Sequence, residues 1–389
     1  MKLKHGLHLA YCTNIHRGGS WEQTFQSLVR HTLAVRDRVA PGRPYAIGLR
    51  LGADAARELS DRTTLGAFRR WLDAEQCYVF TVNGFPYGRF HGGRVKEQVY
   101  APDWTTRERL DYTNLLFDLL GELVPEGVEG SVSTVPVSFK EFRRSEGELA
   151  AARSNLWRCV EHIERVSRRT GCALHLGLEP EPLCVLETSA EAIAFFDQLR
   201  ACRPGDERMR EFLGVNYDCC HLAVEFEEAR DALERLRSAG IRISKLHLSN
   251  ALAVQPTSAV RELLRSFADD VYLHQVVERD AAGRLTRHRD LDVALARTPS
   301  GGDAANHEWR IHFHIPLHSP PTAQFGTTSG HVLDTLDWLA AHPGACSHLE
   351  METYTWEVMP AELKKRDVEE QLAGEYAWTL GELARRGLA

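Results

Sequence analysis

Eight strand-like apolar runs alternate with helix-like stretches from one end of this 389-residue chain to the other. The runs lie at 7–14, 45–51, 77–85, 130–139, 173–182, 212–221, 241–250 and 347–356. Between them, 21–39, 53–75, 105–124, 148–169, 189–200 and 229–239 repeat apolar residues at spacings of three and four, as does 367–386 after the last run. The helix at 189–200 is expected to open at Ser189, with Glu191 nearby, and the helix at 229–239 to stop at Gly240. Strands that alternate with helices imply right-handed crossovers and a parallel sheet, and eight such units close a barrel. The expected fold is α/β, a (β/α)8 TIM barrel, with 1–389 as a single domain.

One stretch breaks the rhythm. Within 251–320, RELLRSFADD is helix-like, VYLHQVVERDAAGRLTRHRDL alternates as a hairpin around AAG, and EWRIHFHIPLHSPP runs extended until prolines halt it. The stretch is expected to be an insertion between strands seven and eight, forming a lid or wall over the C-terminal face, where barrels gather their chemistry.

Composition narrows the function classes. A net charge of -7 argues against a dedicated nucleic-acid binder. Nine cysteines without a paired C-x-x-C framework suit a reducing compartment, so the cytoplasm is expected. No run approaches the eighteen or so apolar residues of a membrane span, and MKLKHGLHLAYC lacks the pattern of an export signal. The expected partner is a small-molecule metabolite.

Metal-ligand residue types close the later strand-like runs: Glu179 in LGLEPEP, Asp218 in GVNYDCCH, His247 in KLHLSN and Glu352 in HLEMETYTW. Three carboxylates and an imidazole suit a divalent ion such as Mn, Co, Mg or Zn and leave positions for substrate oxygens. Glu181 shares the parity of Glu179, and Glu350 that of Glu352; the expectation favours Glu179 and Glu352, with Glu350 as fallback. His312 and His314 alternate onto one side of an extended segment. With His221 they form a candidate second site of the zinc type, against which stand substrate hydrogen bonding and a structural role. Lys245 shares the face of His247 and is a candidate to stabilise an oxyanion; an ion pair inside the barrel is the alternative. The loop NGFPYGRFHGG offers Asn83, Tyr87 and His91 as substrate contacts, with Phe85 or Phe90 as a wall, or is an ordinary turn-rich loop. His8, Asn14 and His16 are expected to point toward the same mouth.

The ordered series Glu179, Asp218, His247 and Glu352, together with GVNYDCCH, resembles the xylose isomerase-like barrels. That superfamily includes sugar isomerases, ketose epimerases, inosose dehydratases and the endonuclease IV group. GVNYDCCH looks like the D-x-C-H segment of the last group, which implies additional zinc at His221 and a later x-His pair; here His312 stands where that pattern has Asp. HLAYCTNIH, NGFPYGRFHG, VYAPDWTTRERLDYT, LGLEPEP, YDCCHLAVEFE and HFHIPLH resemble the EboE family of the ebo cluster, described as sugar-isomerase-like proteins associated with metabolite trafficking. The EboE resemblance supplies no reaction; the leading expectation is metal-assisted proton transfer next to a carbonyl of a small polyhydroxylated substrate, giving isomerisation or epimerisation, with Glu179 and Glu352 as the exchanging groups. Metal-dependent phosphoester hydrolysis and non-enzymatic metabolite binding are the alternatives.

Overall fold

The computed structural model describes residues 1–297, 306–359 and 366–389. In chain order its strands are β1 (His8–Tyr11), β2 (Tyr45–Arg50), β3 (Cys77–Asn83), β4 (Gly130–Thr134), β5 (Leu174–Leu178), β6 (Leu213–Asp218), β7 (Arg242–Leu248), β8 (Asn250–Val254), β9 (Val276–Arg279), β10 (Leu285–His288), β11 (Glu308–Ile315), β12 (Gly326–Thr327) and β13 (His348–Met351). Eight of them form one parallel sheet in the order β1-β13-β7-β6-β5-β4-β3-β2. A parallel bridge between Cys12 and Gly48 brings its two edges together, so the sheet is a nearly closed barrel with helices flanking it, as the alternation predicts.

Gly48 shows why the closure needs a glycine. A Cβ at this position would lie 2.0 Å from Glu350 Oε1 and 2.7 Å from the Tyr11 carbonyl. The absent side chain leaves room for Glu350 to project into the barrel.

Several boundaries differ from the sequence expectation for local reasons. β4 stops at Thr134 rather than 139 because Pro136 offers no N–H to the ladder and Val137 turns the chain at φ 72°. Pro180 and Pro182 end β5 early in the same way. The helical stretch at 53–75 is two helices, Ala53–Leu59 and Arg62–Ala74. Asp61 separates them and caps the second by accepting the Thr63 and Thr64 N–H groups. Thr188, not Ser189, caps the next predicted helix, in a reciprocal box with Glu191.

The stretch after β7 is more ordered than a helix, a hairpin and an extended run. β8 leaves β7 after a single residue, and β11 pairs antiparallel with both β8 and β9. The resulting five-stranded antiparallel sheet, β10-β9-β11-β8-β12, extends past residue 320 through β12. The predicted hairpin is β9–β10, and the predicted helix runs from Ser258 to Leu264. Residues 298–305 of the expected insertion lie outside the described residues. Leu252, Leu264, Phe267, Trp309 and Phe313 give this sheet a core of its own.

Glu375, in the last helix (Val368–Arg385), ties the two layers together. Its Oε1 accepts from Leu317 N–H at 3.0 Å, just after β11, and from Thr353 Oγ1 at 2.7 Å, just after β13.

Candidate metal centre

Parallel strands that end on one rim place their last residues around a common mouth. Glu179 follows β5, Asp218 ends β6, His247 is next to last in β7, and Glu352 follows β13. One ligand atom from each of the four lies within 4.8 Å of every other. All four residues are buried.

His247 Nδ1 is the centre of the group. Glu179 Oε1 stands 3.1 Å from it, Glu352 Oε2 3.3 Å and Asp218 Oδ2 3.4 Å. On the other edge of the ring, Nε2 lies 2.7 Å from Glu350 Oε2. The carboxylate accepts a hydrogen bond from Nε2–H, which turns Nδ1 toward the three carboxylates as the ligand atom. Glu350 therefore lies behind the imidazole, and Glu352 is the residue that joins the cluster. Burial alone would lower the His247 pKa, yet the carboxylates Glu352, Glu179 and Asp218 raise it well above the usual imidazole range. Burial and the neighbouring carboxylates Glu179 and Asp218 push Glu352 up to about 8, against the pull of His247. A cluster that draws protons in this way is deficient in positive charge. Glu179 Oε2 and Asp218 Oδ2 are buried without a hydrogen-bond partner, which costs on the order of 1–3 kcal/mol each unless a cation or water meets them. The donor set and these two orphaned oxygens fit a divalent ion.

Lys245 does not reach the mouth. Two residues earlier on the same face of β7, it sits one layer deeper, where its ammonium donates to Glu350 Oε2 and to Ser133 Oγ. Burial works against its charge, but Glu350 raises its pKa. The same pair, with His247, holds Glu350 down at about 2 despite burial. The ion pair inside the barrel replaces the expected contact with a substrate oxyanion.

A second group adjoins the first. His221 Nε2 and His314 Nε2 lie 3.1 and 3.2 Å from His312 Nε2. Each ring's far nitrogen faces a fixed acceptor: His221 Nδ1 the Pro180 carbonyl at 3.0 Å, His314 Nδ1 the Glu352 carbonyl at 3.0 Å, and His312 Nδ1 Gln275 Oε1 at 2.7 Å. Gln275 is oriented by its own amide hydrogens, which Tyr100 Oη accepts at 2.7 Å and the Pro182 carbonyl at 3.3 Å. With Nδ1 protonated in all three rings, the Nε2 lone pairs converge, and they repel unless a proton or a metal ion stands between them. Burial and the nearby His221 keep the His312 pKa well below the usual value. Burial also brings His314 down to about 4, against the pull of Asp218. Asp218 adjoins both groups: Oδ2 faces His247, and Oδ1 lies 3.9 Å from His221 Nε2.

The loop residues divide. Asn83 lines the pocket and donates to Glu352 Oε1 at 3.1 Å, and Asn14 donates to the same oxygen at 2.7 Å, so both aim a ligand carboxylate. Phe85 and Phe90 line the pocket with Tyr272 and Tyr354. His91 stands behind that wall, bonded to Tyr272 Oη at 2.6 Å and to the Asn14 carbonyl. Tyr87 points elsewhere, its ring against Tyr112 at 5.0 Å. His16 bonds Tyr11 Oη at 2.9 Å and stacks on His31. His8 is at the opposite end of the barrel: it opens β1, pairs with the first residue of β13 and meets Tyr78 Oη at 2.8 Å. Tyr100, Gln275 and Tyr354 escaped the sequence analysis. They come from the loop after β3, the insertion and the turn after β13, and no periodicity marks their paths. Glu181, pushed up to about 7 by burial, accepts from Tyr100 Oη at 2.6 Å and faces His221 and His312.

No family model and no curated protein matches the chain. Solved structures do. An L-ribulose 3-epimerase is 13% identical, covering 99% of this chain and 96% of that one, with a TM-score of 0.51. The IOLI protein, solved with a zinc atom, is 13% identical over 98% and 99%, TM-score 0.51. A xylose isomerase-like TIM barrel protein from Mycobacterium smegmatis, solved with magnesium, is 14% identical over 91% and 87%, TM-score 0.50. The fold is that of the xylose isomerase-like barrels. At this level of identity the likeness speaks for the fold, and the chemistry rests on the residues at the mouth. Among the described residues, no helix is long and apolar enough to cross a membrane.

Proposed function

We propose that the chain is a divalent-metal-dependent isomerase or epimerase acting on a small polyhydroxylated metabolite. The observation that carries the reading is the convergence of Glu179, Asp218 and Glu352 on His247 Nδ1, beneath a pocket walled by aromatic rings. Mn, Co, Mg or Zn held by these four residues would stabilise negative charge developing on adjacent substrate oxygens. Glu179 and Glu352 come from strands that two others separate, and both line the pocket. One can take the proton from the carbon next to a carbonyl while the other returns it on the opposite face. Asn14 and Asn83 hold the Glu352 carboxylate for that transfer, and Phe85, Phe90 and Tyr354 limit water around it. The zinc and magnesium held by two of the similar structures, and the epimerase among them, support this choice of chemistry.

The test is exchange of substrate hydrogen with deuterated water across a panel of ketoses, aldoses and inososes, with each metal in turn. The expected result is exchange at one carbon that falls at least a hundredfold in Glu179→Gln. No exchange with any member of the panel, in protein loaded with metal, would overturn the reading.

The three imidazoles favour a second reading. Zinc at His221, His312 and His314, with Asp218 shared between two ions, would suit phosphoester hydrolysis, and turnover of a chromogenic phosphodiester that is lost in His314→Gln would select it. Membership of the EboE family rests on the six segments quoted above. A handover role in metabolite trafficking would appear as tight retention of a ligand without turnover. Nine unpaired thiols suit a cytoplasmic setting.

A further inference from the structure

The floor of the barrel, at the far end from the mouth, holds a separate cluster of Glu129, His175 and His348. His175 is the second residue of β5, His348 the first of β13, and Glu129 immediately precedes β4. β5 and β13 are not neighbours in the sheet, so the two imidazoles meet across the barrel interior, with ring centroids 5.2 Å apart. One ligand atom from each of the three residues lies within 4.8 Å of the others.

The hydrogen bonds around the cluster leave its inner face bare. His348 Nδ1 meets Ser131 Oγ at 2.7 Å, and Ser131 Oγ meets Thr81 Oγ1 at 2.7 Å. His175 Nδ1 meets Ser244 Oγ at 2.5 Å. Both Nε2 atoms are buried without a hydrogen-bond partner, and His175 Nε2 lies 3.6 Å from Glu129 Oε2. Buried polar atoms in folded proteins are nearly always satisfied, and two orphaned imidazole nitrogens beside one carboxylate are the usual inner shell of a bound ion. Arg242 and Ser347 both bond Glu129 Oε2, at 2.7 and 3.0 Å; among the described residues Oε1 takes no hydrogen bond. Ser131 and Ser244 would accept from Nδ1 and fix the ring orientations. The Glu129 side chain is 41% exposed, so the carboxylate marks the side of the cluster that faces solvent.

We propose that Glu129, His175 and His348 bind a zinc-class divalent ion, a structural site distinct from the mouth that ties the starts of β4, β5 and β13 together. Two imidazoles, one carboxylate and a water make a tetrahedral set of the kind zinc accepts. The fully buried Phe80 packs edge-on against His348 at 4.8 Å.

The test uses the full chain with the mouth disabled by Asp218→Ala and His312→Ala, folded by circular dichroism. The protein is stripped with chelator, equilibrated with zinc, desalted and analysed for metal. One zinc per chain is expected, lost when His348→Gln is added. If that variant does not fold, Glu129→Gln, on a half-exposed side chain, is expected to weaken zinc binding at least tenfold. No zinc in the mouth-disabled protein, or zinc binding unchanged by the floor substitutions, would overturn the proposal. Because the readout is the zinc lost on changing a floor residue in a protein whose two mouth groups have each lost a ligand, its result stands apart from the catalytic reading.

Discussion

The mouth and the floor of this barrel both bury imidazoles beside carboxylates, yet they are built for different tasks. At the mouth, three carboxylates outnumber the imidazole they surround, and the group opens into a pocket with aromatic walls. On the floor, two imidazoles outnumber one carboxylate, Arg242 is its neighbour, and Phe80 packs edge-on against His348. An excess of anionic ligands beside a pocket suits an ion that works on substrate oxygens; a small set drawn from the starts of three strands suits an ion that holds strands. Lys245 stands between the two, paired upward with Glu350, while burial, with its charge a small addition, lowers the pKa of His175 and His348 below.

Removing that ammonium should break the arrangement most severely. Lys245→Met strips the buried Glu350 carboxylate of its ammonium and leaves it His247 alone, and is expected to cost about 3–5 kcal/mol in denaturant unfolding. A loss below about 1 kcal/mol would mean that the layer between mouth and floor is not held by this pair.

The clamp behind the mouth gives a pH signature. Burial raises Glu375 from 4.5 to about 7, against the bonds from Thr353 and Leu317. Between those values the folded chain binds more protons than the unfolded one, so stability falls as pH rises through the window and the loss is complete above about pH 7. Glu375→Gln is expected to remove that slope and to stabilise the protein at pH 8 by up to about 3 kcal/mol, with little effect at pH 4.5. Unfolding in chelator at both pH values checks this, and an unchanged slope would contradict it.

Gly48→Ala sharpens the comparison from the closing seam. Its Cβ would meet Glu350 Oε1, so overpacking should cost about 1–3 kcal/mol by thermal unfolding and disturb the mouth while sparing the floor. Tyr87→Phe has the smallest expected effect, within about 0.5 kcal/mol and with the metal content of the mouth unchanged, because the ring faces Tyr112 and not the pocket.

Strand ends were legible because a change from apolar run to polar turn marks them directly. Glu179, Asp218, His247 and Glu352 could therefore be found together, and the alternation of His312 and His314 placed both on one side of β11. Depth along a strand was less legible. Lys245 has the parity of His247, but two residues of extended chain separate the layers they occupy. His8 was misplaced for the converse reason: a short strand marks its polar end clearly and gives no signal for which residue lies at its start. The direction of the Gly-rich loop that carries Tyr87, and the paths that bring Tyr100 and Gln275 to the histidines, depend on packing between distant segments.

The most direct test of the account is metal content by elemental mass spectrometry in a Glu129→Gln background, which weakens the floor equally in the two proteins compared, after equilibration with manganese or zinc and desalting. The account predicts at least one ion per chain in that protein and loss of at least one equivalent when Asp218→Ala is added, with the fold intact by circular dichroism. Equal metal content in the two proteins would contradict the assignment of the mouth as the metal centre.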